Sequence, residues 1–265
     1  MLHDLPVELV RSVFEHAAAR DAKDACALAL VSHAVHEWMQ PVLLHTVHLR
    51  SVPQAARFFA LLHARAGDAA YFRNVRTLVI ACPTSLGWFR GAEHALDYVS
   101  TDTKTGARSL FLTVASIERL LAAFPALDHF GAPRTLLDTL VLFPTFRPRT
   151  LSLDSVANTA AWPPALRAHV TCLHLDLTGS SATRPCIDLS HFGALADIVL
   201  HLSQTREQLE VWTCHNIVTG ILRHASLKSL TAHVAAGRDF DVLALTLQAI
   251  RDPRLRILRD DAETK

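Results

Sequence analysis

The chain has 265 residues, half of them hydrophobic and 19% charged, with 26 basic against 25 acidic side chains and a net charge of +1. That balance excludes a basic nucleic-acid groove and a polybasic membrane patch, and no apolar run approaches the roughly 18 residues a membrane helix needs. The N-terminal residues lack a secretory pattern, and the five cysteines are scattered without a C-x-x-C pair, so a reduced compartment, cytoplasmic or nuclear, is expected.

The first predicted element covers residues 4–20. Asp4 is a candidate N-cap, and Pro6 lies in the first turn, where its missing N–H costs nothing. Leu9, Val13, Phe14 and Ala17 recur at helical spacing. Residues 22–38 form the next helical stretch. Its apolar residues Ala25, Leu28, Ala29, Val31, Val35 and Trp38 point to burial on more than one side, and Pro41 is expected to end it. Three short helices cannot bury all of these residues among themselves. Leu5, Pro6 and Leu9 have little sequence before them to cover them, so this module is expected to dock onto another protein.

Beyond residue 43 the pattern changes to a recurring template of three apolar positions, h-x-x-h-x-h. It reads Leu44-Val47-Leu49, Val75-Leu78-Ile80, Leu127-Phe130-Ala132, Val170-Leu173-Leu175, Leu195-Ile198-Leu200 and Leu227-Leu230-Ala232. Two copies, Leu151-Leu153 and Leu255-Ile257, follow a proline and lack the first position. The middle positions are separated by 31, 52, 21, 22, 25, 32 and 25 residues. Most gaps fall near the period of leucine-rich repeats, roughly 20–29 residues. Each h-x-h is expected to be a short strand with alternate residues facing a core. The segments 54–66, 116–124, 208–223 and 240–251 are expected to be helices that return the chain to the next parallel strand, Ser116 capping the second of them. The long gap holds about one extra unit, and its stretch 100–106 reads as a surface loop, as does 178–183.

The N-terminal run resembles an F-box over residues 2–48. The residues that carry the resemblance are Leu5, Pro6, Glu8, Leu9, Val13, Phe14, Leu28, Leu30, Val31 and Ser32, with Trp38, Pro41, Leu43 and Leu44 leading into a leucine-rich-repeat-like region. The resemblance implies an α/β chain with a three-helix F-box-like module at 1–42, followed by an irregular leucine-rich-repeat-like solenoid with a curved parallel sheet at 43–260. The solenoid is expected to be irregular because the family's Asn, three residues past the template, is replaced by Val156, Thr178, Ser203 and Ala235. It also implies a substrate-recruiting receptor of a Skp-cullin-F-box ubiquitin ligase. Leu5, Pro6, Leu9, Val13, Phe14, Leu28 and Val31 would hold a Skp-type adaptor and, through it, a cullin. The repeat region would hold a protein substrate.

Residues beside the template's apolar positions are expected on the open side of the sheet: Thr150, Ser152 and Asp154; Cys172, His174 and Asp176; Asp197, Val199 and His201; Ser229, Thr231 and His233; Arg254 and Arg256. Of these, Asp154, His174, Asp176, His201 and His233 are the candidate substrate contacts. Cys172, His174 and Asp176 are possible metal ligands on one strand, but same-face neighbours along a strand lie nearly 7 Å apart. No metal, cofactor or catalytic residue is therefore expected, and no P-loop, G-x-S-x-G or G-x-G-x-x-G occurs. The alternatives are a protein-binding scaffold without a ligase role and a metal-dependent hydrolase using the histidine-rich face.

Overall fold

The computed structural model describes residues 5–18, 22–65, 69–87, 99–101, 106–153, 159–177, 189–202, 211–235 and 240–260. Helix α1 (Val7–Ala18) starts directly after Pro6, whose carbonyl accepts from the N–H groups of Leu9 and Val10. Asp4 lies outside the described residues. The stretch expected as one helix is two, α2 (Ala22–Leu28) and α3 (His33–His45). The break falls at Ser32, which is extended and accepts from the Val35 N–H at 3.2 Å, as an N-cap does. Pro41 does not end α3, as the sequence had suggested; it lies inside it. An interior proline costs about 3 kcal/mol. Packing beyond it offsets that cost: Val42 and Leu43 rest on a small core of Ala18, Ala25, Ala29, Val35 and Met39, and Leu44 rests on the larger core of the sheet.

The rest is α/β, with an open, parallel sheet of eight strands. Its strands are β1 (Thr46–Leu49), β2 (Thr77–Ile80), β6 (His129–Ala132), β7 (Thr150–Leu153), β8 (Cys172–Asp176), β9 (Asp197–Leu202), β10 (Ser229–Ala235) and β11 (Leu255–Asp260), lying side by side in that order. The eight template copies are these eight strands, and their middle positions are all in register. Val47, Leu78, Phe130, Leu151, Leu173, Ile198, Leu230 and Leu255 form one row across the sheet. The six inner members of that row are 0% exposed. A one-residue slip in any strand would turn its leucines out to solvent, so the apolar alternation itself holds the register.

Helices α4 (Val52–Ala64), α6 (Val114–Ala123), α7 (Arg134–Leu140), α9 (Val211–Leu222) and α10 (Phe240–Gln248), with the short α5 (Ala69–Phe72) and α8 (Pro164–Arg167), contribute to the covering of the leucine face. Phe58, Phe59, Phe72 and Phe124 fill the first units, with ring centroids 5.5–6.1 Å apart. Thr113, not Ser116, caps α6: its Oγ1 accepts from the Ser116 N–H at 3.2 Å. The long gap holds a three-stranded sheet rather than one more repeat unit. There β5 (Arg108–Thr113) pairs parallel with β3 (Thr84–Gly87) and antiparallel with β4 (Val99–Thr101), and Leu110 and Leu112 are buried. Ser100 and Thr101 therefore belong to a strand rather than a loop, while 102–105 and 178–188 lie outside the described residues.

At the start of the strands the units are joined by shared main-chain acceptors. The carbonyl of Arg76 accepts from the N–H groups of both Asp128 and His129. Those of Asp128, Arg149, Thr171 and Ala196 do the same for the first two residues of the unit that follows each. Each unit thus presents one carbonyl to two donors of the next, which satisfies main-chain N–H groups at the strand starts. Arg254 departs from the expected open-face position. Its Nη2 donates to the Leu222 carbonyl (2.6 Å) and to Asp252 Oδ2 (2.7 Å), and its Nε to Asp252 Oδ1 (3.0 Å), so it clips the end of α9 to β11. These bonds hold the Asp252 carboxyl down at about 2.

Candidate functional site

Two surfaces stand out from the fold. The first is on the N-terminal helices. Leu5, Val7, Leu9 and Val13 are 51–68% exposed, and Leu30 and Val31 are 87% and 63% exposed. Leu9 and Val13, four residues apart on α1, lie on one helix face, and Ser12, Val13, His16 and Ala17 line a shallow depression beside them. Pro6 is exposed as well. Phe14 and Leu28 differ from the other expected adaptor contacts. They are half-buried against the small core, with the Phe14 ring 6.4 Å from that of Trp38. Val7 and Leu30 were missing from the expected contacts. For Leu30 the signal was Ser32: a cap there places the preceding residues in a turn, from which Leu30 and Val31 project outward while Ala29 stays buried.

The second surface is the open face of the eight-stranded sheet. Alternation puts Thr150 and Ser152, Cys172, His174 and Asp176, Asp197, Val199 and His201, and Ser229, Thr231 and His233 there, all half-buried except the exposed Asp176. Asp154 lies outside the described residues. Of the expected substrate contacts, His201 and His233 are paired in register on neighbouring strands with rings stacked 4.8 Å apart at 25°. Asp176 is in register with His201 on the other side. His174 lies on the same strand as Asp176, and its ring is 5.0 Å from that of His129. Burial first, then the neighbouring His129, His201 and His233, push the His174 imidazole down to about 4. His174 therefore sits among three neighbouring imidazoles on this face.

Sequence reasoning missed His129 and His48. His129 sits directly before the middle position of its template, where the next units have Thr150, Cys172, Asp197 and Ser229 on the open face, so the pattern did contain the signal. Its Nε2 and Ser152 Oγ are 2.7 Å apart. Burial and His48 lower its proton affinity, and burial lowers that of His48, with Arg50 adding to the effect. Gly131, two residues after His129 on β6 and in register with Val79 and Ser152, is tightly enclosed. A Cβ there would meet Ser152 Cβ at 2.9 Å and Val79 Cγ1 at 3.3 Å, so only glycine lets β2, β6 and β7 approach this closely.

The Cys172 thiol is pushed up to about 11 by burial and by the Asp197 charge, and that of Cys214 to about 11 by burial; both are thiols at neutral pH. A groove lined by Phe192, Gly193, Gly220, Arg223, His224 and Ser226 lies at the turn after α9. Its polar groups serve the fold: His224 Nε2 and the Leu189 carbonyl are 2.8 Å apart, and Ser226 Oγ donates to the Leu195 carbonyl at 2.7 Å. Among the described residues no helix is long and apolar enough to cross a membrane. The chain matches no protein-family model, no curated protein sequence and no solved structure.

Proposed function

We propose that the protein is the substrate receptor of a Skp-cullin-F-box ubiquitin ligase, an interaction protein with no chemistry of its own. Its N-terminal helices hold the Skp-type adaptor, and the open face of its sheet holds a protein substrate. The observation that carries this reading is the outward placement of Leu5, Leu9, Val13 and Val31 on and beside helices whose own core is three alanines, one valine and one methionine. Removing such side chains from water stabilises a complex by about 1.5–3 kcal/mol for each one fully buried. A module this small gains from a partner what its own core cannot supply. The eight parallel strands lying in chain order support the repeat-like half of the reading, because each unit shares its core with the next.

The experiment is a binding titration of the purified chain with a Skp-type adaptor. A saturable complex is expected, with the cullin recruited only when the adaptor is present. An intact chain that fails to bind the adaptor overturns the reading and leaves a scaffold with no ligase role.

A further inference from the structure

We propose that the outer edge of β11 is an interface between two copies of this chain, joined about a two-fold axis at Leu258 so that the sheet of one copy continues into that of the other. β11 is the last strand of the sheet, with β10 as its one neighbour among the described residues. The outward row of its main-chain donors and acceptors is thus a template for pairing with a further strand. The two ends of the sheet differ in what covers them. At the first, β1 has four residues and follows directly on α3, whose Leu44 rests on the large core. At the last, the core stays partly open: Leu255 and Ile257 are half-buried, whereas Leu230, Ala232 and Val234 of β10 are 0–2% exposed. Leu258 is 47% exposed on the opposite face, and Val242 and Leu245 stand 53% and 66% exposed on α10. The terminal unit of a stacked array needs a polar outer side when water is what it faces; this one is apolar.

The sequence of the strand says what fits this edge, because Leu255–Asp260 is complementary to itself. A two-fold axis perpendicular to the sheet pairs the two strands antiparallel and keeps each face of the sheet continuous. Alternation then allows only residues of the same face to stand opposite one another. An axis at Arg256 or at Arg259 sets an arginine opposite its own copy, and like charges directly opposed destabilise a pair of strands. An axis at Ile257 sets Arg256 opposite Leu258. An axis at Leu258 sets Leu258 opposite Leu258 of the other copy and, on both sides of it, Arg256 opposite Asp260, residues of opposite charge. Of the axes from Arg256 to Arg259, this is the one that opposes unlike charges within the strand, and it places the exposed leucine where the second copy removes it from water. The interface is isologous, so it closes at two copies and leaves no free edge on that side. The proposal does not depend on the ligase reading: it uses the far end of the chain from the N-terminal helices and concerns this chain alone.

The test is sedimentation velocity of the full chain over a range of concentrations. A reversible monomer–dimer equilibrium is expected, with no larger species. Leu258→Arg, which sets two cations on the axis, and the single reversals Arg256→Asp and Asp260→Arg are each expected to weaken self-association by at least about tenfold. The double reversal Arg256→Asp with Asp260→Arg restores the opposed charges and is expected to recover the dimer. That recovery separates a lost interface from a lost fold, because a misfolded variant is not rescued by a second surface change. A chain that stays monomeric at every concentration overturns the proposal. So does a dimer that the β11 variants leave intact, which would place the contact elsewhere, and so does a double reversal no better than the single ones.

Discussion

The N-terminal helices keep alanines inside and large aliphatic side chains outside; the parallel sheet does the reverse. Leu9 and Val13 stand more than half exposed on α1, whereas Leu78, Leu151, Leu173, Ile198 and Leu230 are 0% exposed. Both regions are comparably apolar in sequence, so composition alone does not separate a folding core from a docking face. The difference lies in whether neighbouring units share a core. Each strand row of the sheet is covered by the next unit and by helices, while Leu9 and Val13 on α1 stand uncovered among the described residues. Mutations at the two kinds of leucine should therefore have opposite readouts, one in stability and one in binding.

The largest effect belongs to the sheet. Leu173→Ala, at the centre of the middle row, is expected to lower unfolding stability by about 3 kcal/mol through lost burial and an unfilled cavity. Leu9→Ala is expected to change it by less than about 0.5 kcal/mol, since an exposed side chain loses little. Urea denaturation of both variants measures the contrast, and equal losses would mean that α1 is covered in the folded chain.

Next come Leu5→Ala and Leu9→Ala in binding. Each is expected to cost about 1–3 kcal/mol of affinity for a Skp-type adaptor. Circular dichroism should remain that of the parent chain. Unchanged affinity in the double variant would mean that these two side chains take no part in any adaptor interface.

Much of this contrast was legible in the sequence. The spacing of the template predicted all eight strands of the sheet, because alternation with a buried face leaves one admissible register. The open-face histidines at 174, 201 and 233 followed from the same alternation. What could not be read came from packing over longer range. Pro41 inside α3 contradicts a local rule because Val42, Leu43 and Leu44 find two cores beyond it. The small sheet of β3, β4 and β5 was hidden because Val99–Thr101 carries no apolar alternation of its own, and its pairing with Arg108–Thr113 supplies the strand. Arg254 left the open face because the carbonyls at the end of α9 and the Asp252 carboxylate were within its reach.

The open face gives the fold a pH dependence of its own. The folded state holds His174 at about 4, against 6.5 for a free imidazole, and depresses His129 in the same direction. The unfolded chain therefore binds more protons than the folded chain across this window. Stability is fully present above about pH 6.5 and is lost as pH falls from there through about 4. The ring is half-buried, so solvent screening reduces its share to about 1–2 kcal/mol. In chelator-treated buffer His174→Gln should flatten the stability profile between those pH values. A profile as steep as that of the parent chain would show that His174 does not set it.

The smallest expected effect tests whether the two regions are mechanically separate. Ser32→Ala removes the side-chain acceptor for the Val35 N–H at the start of α3 and should cost about 1 kcal/mol. That loss falls on a helix whose first half packs on the small core, through Val35 and Met39, and whose last turn reaches the large one through Leu44. If the cores unfold independently, hydrogen exchange should quicken in 33–40 while β6 through β10 keep their protection. If α3 acts as a strut, its last turn transmits the loss and the edge strand β1 quickens too, since Thr46 directly follows the helix. The interior proline favours the first outcome: with no N–H at Pro41, the Glu37 carbonyl lacks its usual helical donor, so the helix is weakest between Ser32 and the Leu44 contact with the large core.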